Sequence, residues 1–446
     1  FSADCDFRRV GNCRRLKYTL VGGCMRISIP YHNGFLHAEL DEALVEAVIV
    51  PKAVEPQQSP KALVKTSLEN PICSKRLCEK AKGKHKITLI TCDHTRAMPS
   101  KVTLPLILEE LRKGNPNAEI TILVATGLHR PTTSEELYNM FGAEIVQAEN
   151  ILVSDAYDET AFVDFGRLPS GAPFELHKAA AECDLLISEG FIEPHFFAGY
   201  SGGRKSVLPG VCSLNTIKHN HAYTHIADKR AATGVLKGNP LHEDMLTAAK
   251  RAKLAFILNV TLDSNKRITA AFSGEFEKAH GAGVSCLKES SRCPLIPADI
   301  VITGNGGYPL DQNLYQTAKA ASTAALYAKK DGVIILCAAC KDGLGGEQFA
   351  KVMSLGTPDY ILSTLSKLAP EDTILEQWNA QIYAQVLKAH TLILVTDMLD
   401  YDLLLKMNII PAASISDALK LARKLKGEAA RIVILPDGVA VIPDNT

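Results

Sequence analysis

The chain has 446 residues, 46% of them hydrophobic and 22% charged, a globular composition too long for one ordinary core. Its 49 basic and 49 acidic side chains cancel and no lysine/arginine stripe stands out, which argues against nucleic acid and anionic membrane as partners. No apolar run approaches the roughly 18 residues that a membrane span needs.

Residues 1–24 begin without methionine, are rich in arginine and cysteine and lack the apolar core of a secretory signal; they read as an untypical or non-native leader, set aside from the fold. From Met25 the alternation of apolar and polar residues predicts a hairpin turning at Asn33-Gly34. Lys86–Cys92 reads as a buried strand, Asp93–Ser100 as a loop, and Lys101–Lys113 as an amphipathic helix closed by Gly114 and Pro116. A second strand, Glu119–Val124, leads through the loop Ala125–Pro131 into a helix near Thr133, with Glu136 completing a capping box. Ile151–Ser154 and Leu185–Ser188 are further short strands, and Leu254–Val260 with Arg267–Phe272 form an antiparallel pair. A second run follows, with strands Asp299–Thr303, Gly332–Cys337, Leu392–Thr396 and Arg431–Leu435 and helices Asn313–Lys329 and Ile415–Lys426 between them. This is the grammar of two α/β domains with mostly parallel sheets, residues 25–285 and 286–446, enclosing an interdomain cleft.

Twelve cysteines are scattered, several in apolar strands such as Cys183, Cys337 and Cys340, and Cys337-Ala-Ala-Cys340 ends a strand with no partner pair. The pattern fits a reduced, cytoplasmic protein.

The chemistry concentrates between Glu193 and His221. Glu193-Pro-His-Phe-Phe-Ala-Gly-Tyr-Ser-Gly-Gly-Arg-Lys205 sets an imidazole and an amine around glycines that allow close backbone approach. Lys205 suits either phosphate contact or covalent attachment of a cofactor. His129 and His195 follow strands of one sheet, where open α/β folds bind ligands, and two bases are what a reaction on both faces of one carbon requires. Alone, each histidine reads equally as a capping or core residue. Asp93 and Arg96 fall at the same level of the sheet. His219, His221 and His225 resemble a metal cluster without the glutamate of a zinc protease, and imidazole suits nickel as well as zinc. In the second run, Tyr315, Gln316 and Lys319 share a helix face suited to a small carboxylate, or simply to an amphipathic helix. The loop Asp342–Gly346 lacks dinucleotide spacing. Trp378 is the one tryptophan.

Together, Asp93-His-Thr-Arg96, Gly127-Leu-His-Arg-Pro131, the His195–Lys205 loop, Asn220-His221 and Tyr315-Gln-Thr-Ala-Lys319 resemble the nickel-dependent lactate racemase family, colinearly from about Met25 to the C-terminus. The resemblance implies two α/β domains around a nickel pincer nucleotide, a pyridinium mononucleotide with two sulfur arms. It implies Lys205 as the thioamide-linked lysine, His221 as the nickel ligand, and His129 and His195 as paired acid/bases. Asp93 and Thr95 would support the cofactor, while Arg96, Tyr315, Gln316, Lys319 and Trp378 would face substrate. The implied reaction is racemisation of a 2-hydroxy acid, lactate foremost, through a 2-keto acid, with cofactor-building enzymes as maturation partners. Alternatives are the same cofactor acting on another 2-hydroxy acid or a sugar acid, a zinc-dependent hydrolase using His219, His221 and His225, and a non-catalytic nucleotide binder.

Overall fold

The computed structural model describes residues 19–21 and 23–444, so the leader expected at 1–24 falls largely outside the described residues. Thr19–Val21 pairs with the start of Cys24–Tyr31 and widens the hairpin Cys24–Tyr31/Gly34–Asp41 to three antiparallel strands, so the end of that segment takes part in the fold. The chain forms two units: residues 54–287 with 368–373, and the described residues up to 53 with 288–367 and those from 374 onward.

The first unit is built on a six-stranded sheet. In spatial order its strands are Asn150–Val153, Glu119–Ala125, Lys86–Cys92, Leu185–Phe191, Leu254–Leu262 and Ile268–Gly274. Only the last pair is antiparallel. Counted along the chain this is the doubly wound order 3-2-1-4-5-6. Such a sheet is covered on both faces, so its central strands are buried on both sides; every residue of Leu185–Phe191 is buried, the polar Ser188 and Glu189 included. Helix Ser100–Gly114 presents Leu104, Ile107, Leu108 and Leu111 at helical spacing to that core. The helix Ser134–Phe141 opens with the capping box expected from Thr133 and Glu136.

The second unit holds six parallel strands in the order Ile410–Ala412, Thr391–Val395, Ala328–Cys337, Ala298–Gly304, Ile432–Leu435 and Val45–Val48. The hairpin belongs here and not with residues 54–285: Met25, Ile27, Ile29, Ala38 and Leu40 share one apolar core with Ile300, Ile302, Ile432 and Ile434. Alternation fixes which hairpin face is buried but not which sheet covers it; the pairing of Val45–Val48 on Ile432–Leu435 decides that. The expected helix Asn313–Lys329 is instead a 3₁₀ turn, Leu314–Thr317, running into an α-helix, Ala318–Tyr327. Cys337 closes its strand, Cys340 lies beyond it, and Cys183 precedes rather than occupies the strand Leu185–Phe191. Cys183, Cys337 and Cys340 are free thiols. Among the described residues no helix is long and apolar enough to cross a membrane.

Candidate active site

In a 3-2-1-4-5-6 sheet the chain departs in opposite directions after strands 1 and 4, opening a crevice at their carboxyl ends. Strand 1 here ends at Cys92 and delivers Asp93, Thr95 and Arg96; strand 4 ends at Phe191 and delivers His195. His129 follows strand 2, beside strand 1.

The Asp93 loop is held from below by a carboxylate that the sequence reading missed. Glu189, 1% exposed, accepts the hydroxyls of Thr91, Ser100 and Thr103 at 2.7, 2.6 and 2.5 Å, joining both ends of the loop to strand 4. Burial pushes its carboxyl above the ordinary range, against the pull of those three donors.

Above it, Asp93 is also buried. Oδ1 accepts Thr95 N–H at 3.2 Å and Thr95 Oγ1–H at 2.7 Å; Oδ2 lies 2.6 Å from His129 Nδ1. Arg96 donates to Thr95 Oγ1 at 2.9 Å. Burial alone would raise the Asp93 carboxyl, but the charge and hydrogen bond of His129, then Arg96 and Thr95, hold it well below the usual carboxylate range. An ionised carboxylate only accepts, so His129 carries its proton on Nδ1 and presents the Nε2 lone pair. The two expected cofactor supports, Asp93 and Thr95, thus have their side-chain oxygens turned to His129 and Arg96.

The second cluster surrounds one aromatic ring. His195 stacks on Phe196 with centroids 4.9 Å apart and meets Phe197 edge-on at 4.6 Å. Its Nδ1 accepts Ala198 N–H at 3.2 Å, and its Nε2 stands 3.0 Å from Lys205 Nζ. Lys205 Nζ lies 5.7 Å from the Phe197 centroid, and the His221 ring packs against the same phenyl at 5.3 Å. Phe197 therefore joins His195, Lys205 and His221, a role that its place in an apolar pair did not signal. His221 ends the helix Leu214–Asn220 as its C-cap and is 4% exposed. Burial, followed by the nearby Lys205 and His225, drives it down to about 3, so the ring is a neutral imidazole, the form a metal takes as ligand.

The three-histidine zinc arrangement does not assemble. His219 Nδ1 bonds Asn215 O at 2.9 Å and His225 Nδ1 bonds Asn220 O at 3.0 Å. Among the described residues no three His, Cys, Asp or Glu side chains come together to hold a metal. His219 sits in the last turn of the helix Leu214–Asn220. A single buried neutral imidazole beside an amine instead fits a metal whose other ligands arrive with an organic group.

In the second unit, Trp378 Nε1 donates to Tyr315 Oη at 2.5 Å and Asn379 Nδ2 to Tyr315 O at 2.7 Å. Gln316 and Lys319 are each 5% exposed. Tyr315 lies in the 3₁₀ turn, so it and Lys319 do not occupy one α-helical face as the i, i+4 spacing suggested. The glycine loop Asp342–Gly346 packs beneath them: a Cβ on Gly345 would come within 2.7 Å of Tyr315 Cβ, and Tyr315 N donates to Leu344 O.

These features describe a two-unit α/β enzyme whose polar site gathers at the switch point of its first sheet. Residues 31–234 match the model of the lactate racemase N-terminal domain and residues 293–443 that of the lactate racemase C-terminal domain. The chain is 45% identical over 419 residues to the lactate racemase of Thermoanaerobacterium thermosaccharolyticum, covering 93% of this chain and 98% of that protein. The lactate racemase of Lactiplantibacillus plantarum is also 45% identical, with 93% and 99% covered. The lactate racemase apoprotein structure from T. thermosaccharolyticum superposes with a TM-score of 0.91 at 44% identity, over 94% of this chain and all of that one. A Thermotoga maritima protein at 16% identity and TM-score 0.65 shares the fold. The chain belongs to the lactate racemase family and is an isomerase.

Proposed function

We propose that this chain interconverts D- and L-lactate through a 2-keto acid, with a nickel pincer nucleotide joined to Lys205 and its nickel bound by His221. The observation that carries the reading is the grouping of Lys205, His195 and a neutral His221 around Phe197, with a second imidazole oriented by Asp93 on a loop after another strand of the same sheet. When bound, the cofactor supplies a hydride acceptor, which avoids removing the weakly acidic Cα proton.

The chain's own groups do the rest. For one enantiomer His129 Nε2 takes the hydroxyl proton, and the adjacent Asp93 carboxylate stabilises the imidazolium that forms. For the other, the same role is assigned to His195, with Lys205 held in its thioamide and no longer an amine. The planar keto acid accepts hydride on either face, so the product is racemic. Arg96, Tyr315, Gln316, Lys319 and Trp378 are assigned to the substrate's carboxylate and oxygen side, with Asp93 and Thr95 supporting the cofactor-side loop. Maturation requires the cofactor-building enzymes, and the free cysteines suit a reducing, cytoplasmic setting.

The test is protein purified from a cofactor-competent host, assayed for lactate interconversion, nickel and intact mass. Expected are racemisation, nickel and a mass increment confined to Lys205; active protein with an unmodified Lys205 would overturn the tether. A screen of other 2-hydroxy acids and sugar acids fixes the substrate.

A further inference from the structure

We infer that Arg204 is the positioning residue of this site, a buried cation that gathers the carbonyls of the Ala198–Gly202 loop and so sets where Lys205 and His195 stand. The inference rests on the reading of Lys205 as tether and His195 as acid/base.

Arg204 is 1% exposed and among the largest fully buried side chains. Its Nη2 donates to Ala198 O at 2.7 Å, its Nη1 to Tyr200 O at 2.8 Å and Gly202 O at 3.2 Å, and its Nε to His242 Nδ1 at 3.0 Å. Among the described residues no carboxylate pairs with it. Buried charges are normally paired, because losing water is costly; here backbone dipoles of one loop replace the counter-ion. Burial lowers the guanidinium to about 9, which leaves it protonated at neutral pH.

The loop is shaped to make this possible. Gly199, Gly202 and Gly203 have φ of +79°, +76° and +53°, a left-handed region, and the alternate carbonyls of Ala198, Tyr200 and Gly202 face the guanidinium. Gly203 N–H donates to Asn259 Oδ1 and the His280 Nε2–H to Ser201 O, each at 2.8 Å, and the same His280 Nε2 lies 3.3 Å from Arg204 Nη1. A Cβ at Gly199 would fall 2.2 Å from Val235 O, and one at Gly203 would fall 2.8 Å from the His280 ring. The loop is thus held by Arg204, Asn259 and His280 together, and the residue after Arg204 is Lys205. The guanidinium's fixed fork reaches several carbonyls at once; a lysine ammonium, a single point charge on a flexible stem, cannot.

The experiment compares Arg204→Lys and Arg204→Met with the parent chain. In cofactor-free protein, carbethoxylation of His195 by diethyl pyrocarbonate is followed by mass spectrometry against the exposed His85. His195, 6% exposed in the parent, is expected to react several-fold faster in both variants while His85 is unchanged. In protein from a cofactor-competent host, turnover per modified Lys205 is expected to fall about a hundredfold, the cost of an ångström-scale misplacement, with KM near the parent value. Leu111→Ala, a core change in the same unit, should lower stability without moving either readout. Parent-like His195 modification in Arg204→Lys overturns the inference. Should the Arg204 variants not fold, His242→Phe decides: it removes only the Nε acceptor and should accelerate His195 modification to a smaller degree, and no acceleration there is equally fatal. Lys205 found unmodified in active parent protein would instead sink the tether reading and leave the His195 result standing.

Discussion

The two imidazoles of this site are held in opposite ways. His129 stands on a loop with about a quarter of its side chain exposed, its Nδ1 against the Asp93 carboxylate. His195 is sunk between two phenyl rings, its Nδ1 taken by a backbone N–H and its Nε2 turned to an amine. Donor and acceptor logic separates them: His129 keeps Nε2 bare because its Nδ1 faces a carboxylate, whereas both ring nitrogens of His195 face nitrogen partners, a backbone N–H and an amine. A reaction serving both faces of one carbon does not require mirror-image surroundings. One ring is set against a carboxylate; the other is tied to Lys205, the proposed tether.

Replacing each ring in turn breaks the comparison most directly. His195→Ala has the largest expected effect: turnover falls about 10⁴-fold or more, and covalent modification of Lys205 falls as well, because its hydrogen-bond partner is gone. His129→Ala should cost about 10²- to 10⁴-fold in turnover and leave Lys205 modification at the parental level. Intact mass and racemisation rates on the same samples check both, and equal modification in the two variants would erase the distinction.

Asp93→Asn sharpens it. The amide is close in shape to the carboxylate but cannot hold the charge, so His129 loses both its orientation and the partner of its imidazolium. Turnover is expected to drop about a hundredfold or more, with KM little changed. The stability consequence has a sign. The folded carboxyl lies below its unfolded value of about 3.9, so its contribution is fully present above that pH and disappears as pH falls through the lower folded value. Asp93→Asn should therefore cost about 2 kcal/mol at neutral pH, a charged hydrogen bond's worth, with the gap from the parent closing below about pH 4. Urea melts across pH 3 to 7 measure it; a gap that widens in acid contradicts the assignment.

Much of this architecture is legible along the chain because local pattern dictates it. Lys86–Cys92 reads as a buried strand and became a central one; the helix Ile415–Lys426 stands where periodicity puts it, and the hairpin turns at His32-Asn33, one residue before the expected Asn33-Gly34, with Gly34 already paired to Tyr31. Positions after strands pointed to His129 and His195, and family motifs to Lys205 and His221. What stayed hidden is long-range. Nothing near Met25 says that its hairpin packs with Ile300 and Ile432. The Asp93–His129 pair exists because strands 1 and 2 are neighbours, a fact of strand order rather than of either loop. Phe197 reads as part of an apolar pair, and Glu189 lies just past the expected strand Leu185–Ser188; the roles of both emerge only when the side chains around them are placed. The 3₁₀ turn at Leu314–Thr317 has apolar spacing like a helix's, and Asn313 caps it as it would a helix.

The smallest expected effect concerns Trp378, whose indole N–H reaches Tyr315 Oη at 2.5 Å. Trp378→Phe keeps most of the buried ring and removes that donor, which should cost about 1 kcal/mol and lower the melting temperature by about 2–4 °C. The functional consequence depends on when Tyr315 matters. If it grips the substrate carboxylate, which is present alike in the alcohol and in the transition state, loosening it weakens both equally: KM rises several-fold and kcat holds. That would set Tyr315 apart from the two imidazoles, whose replacement is read in kcat. A fall in kcat with KM unchanged would instead move Tyr315 to the reacting oxygen, and the division between gripping and proton-transferring groups would have to be redrawn.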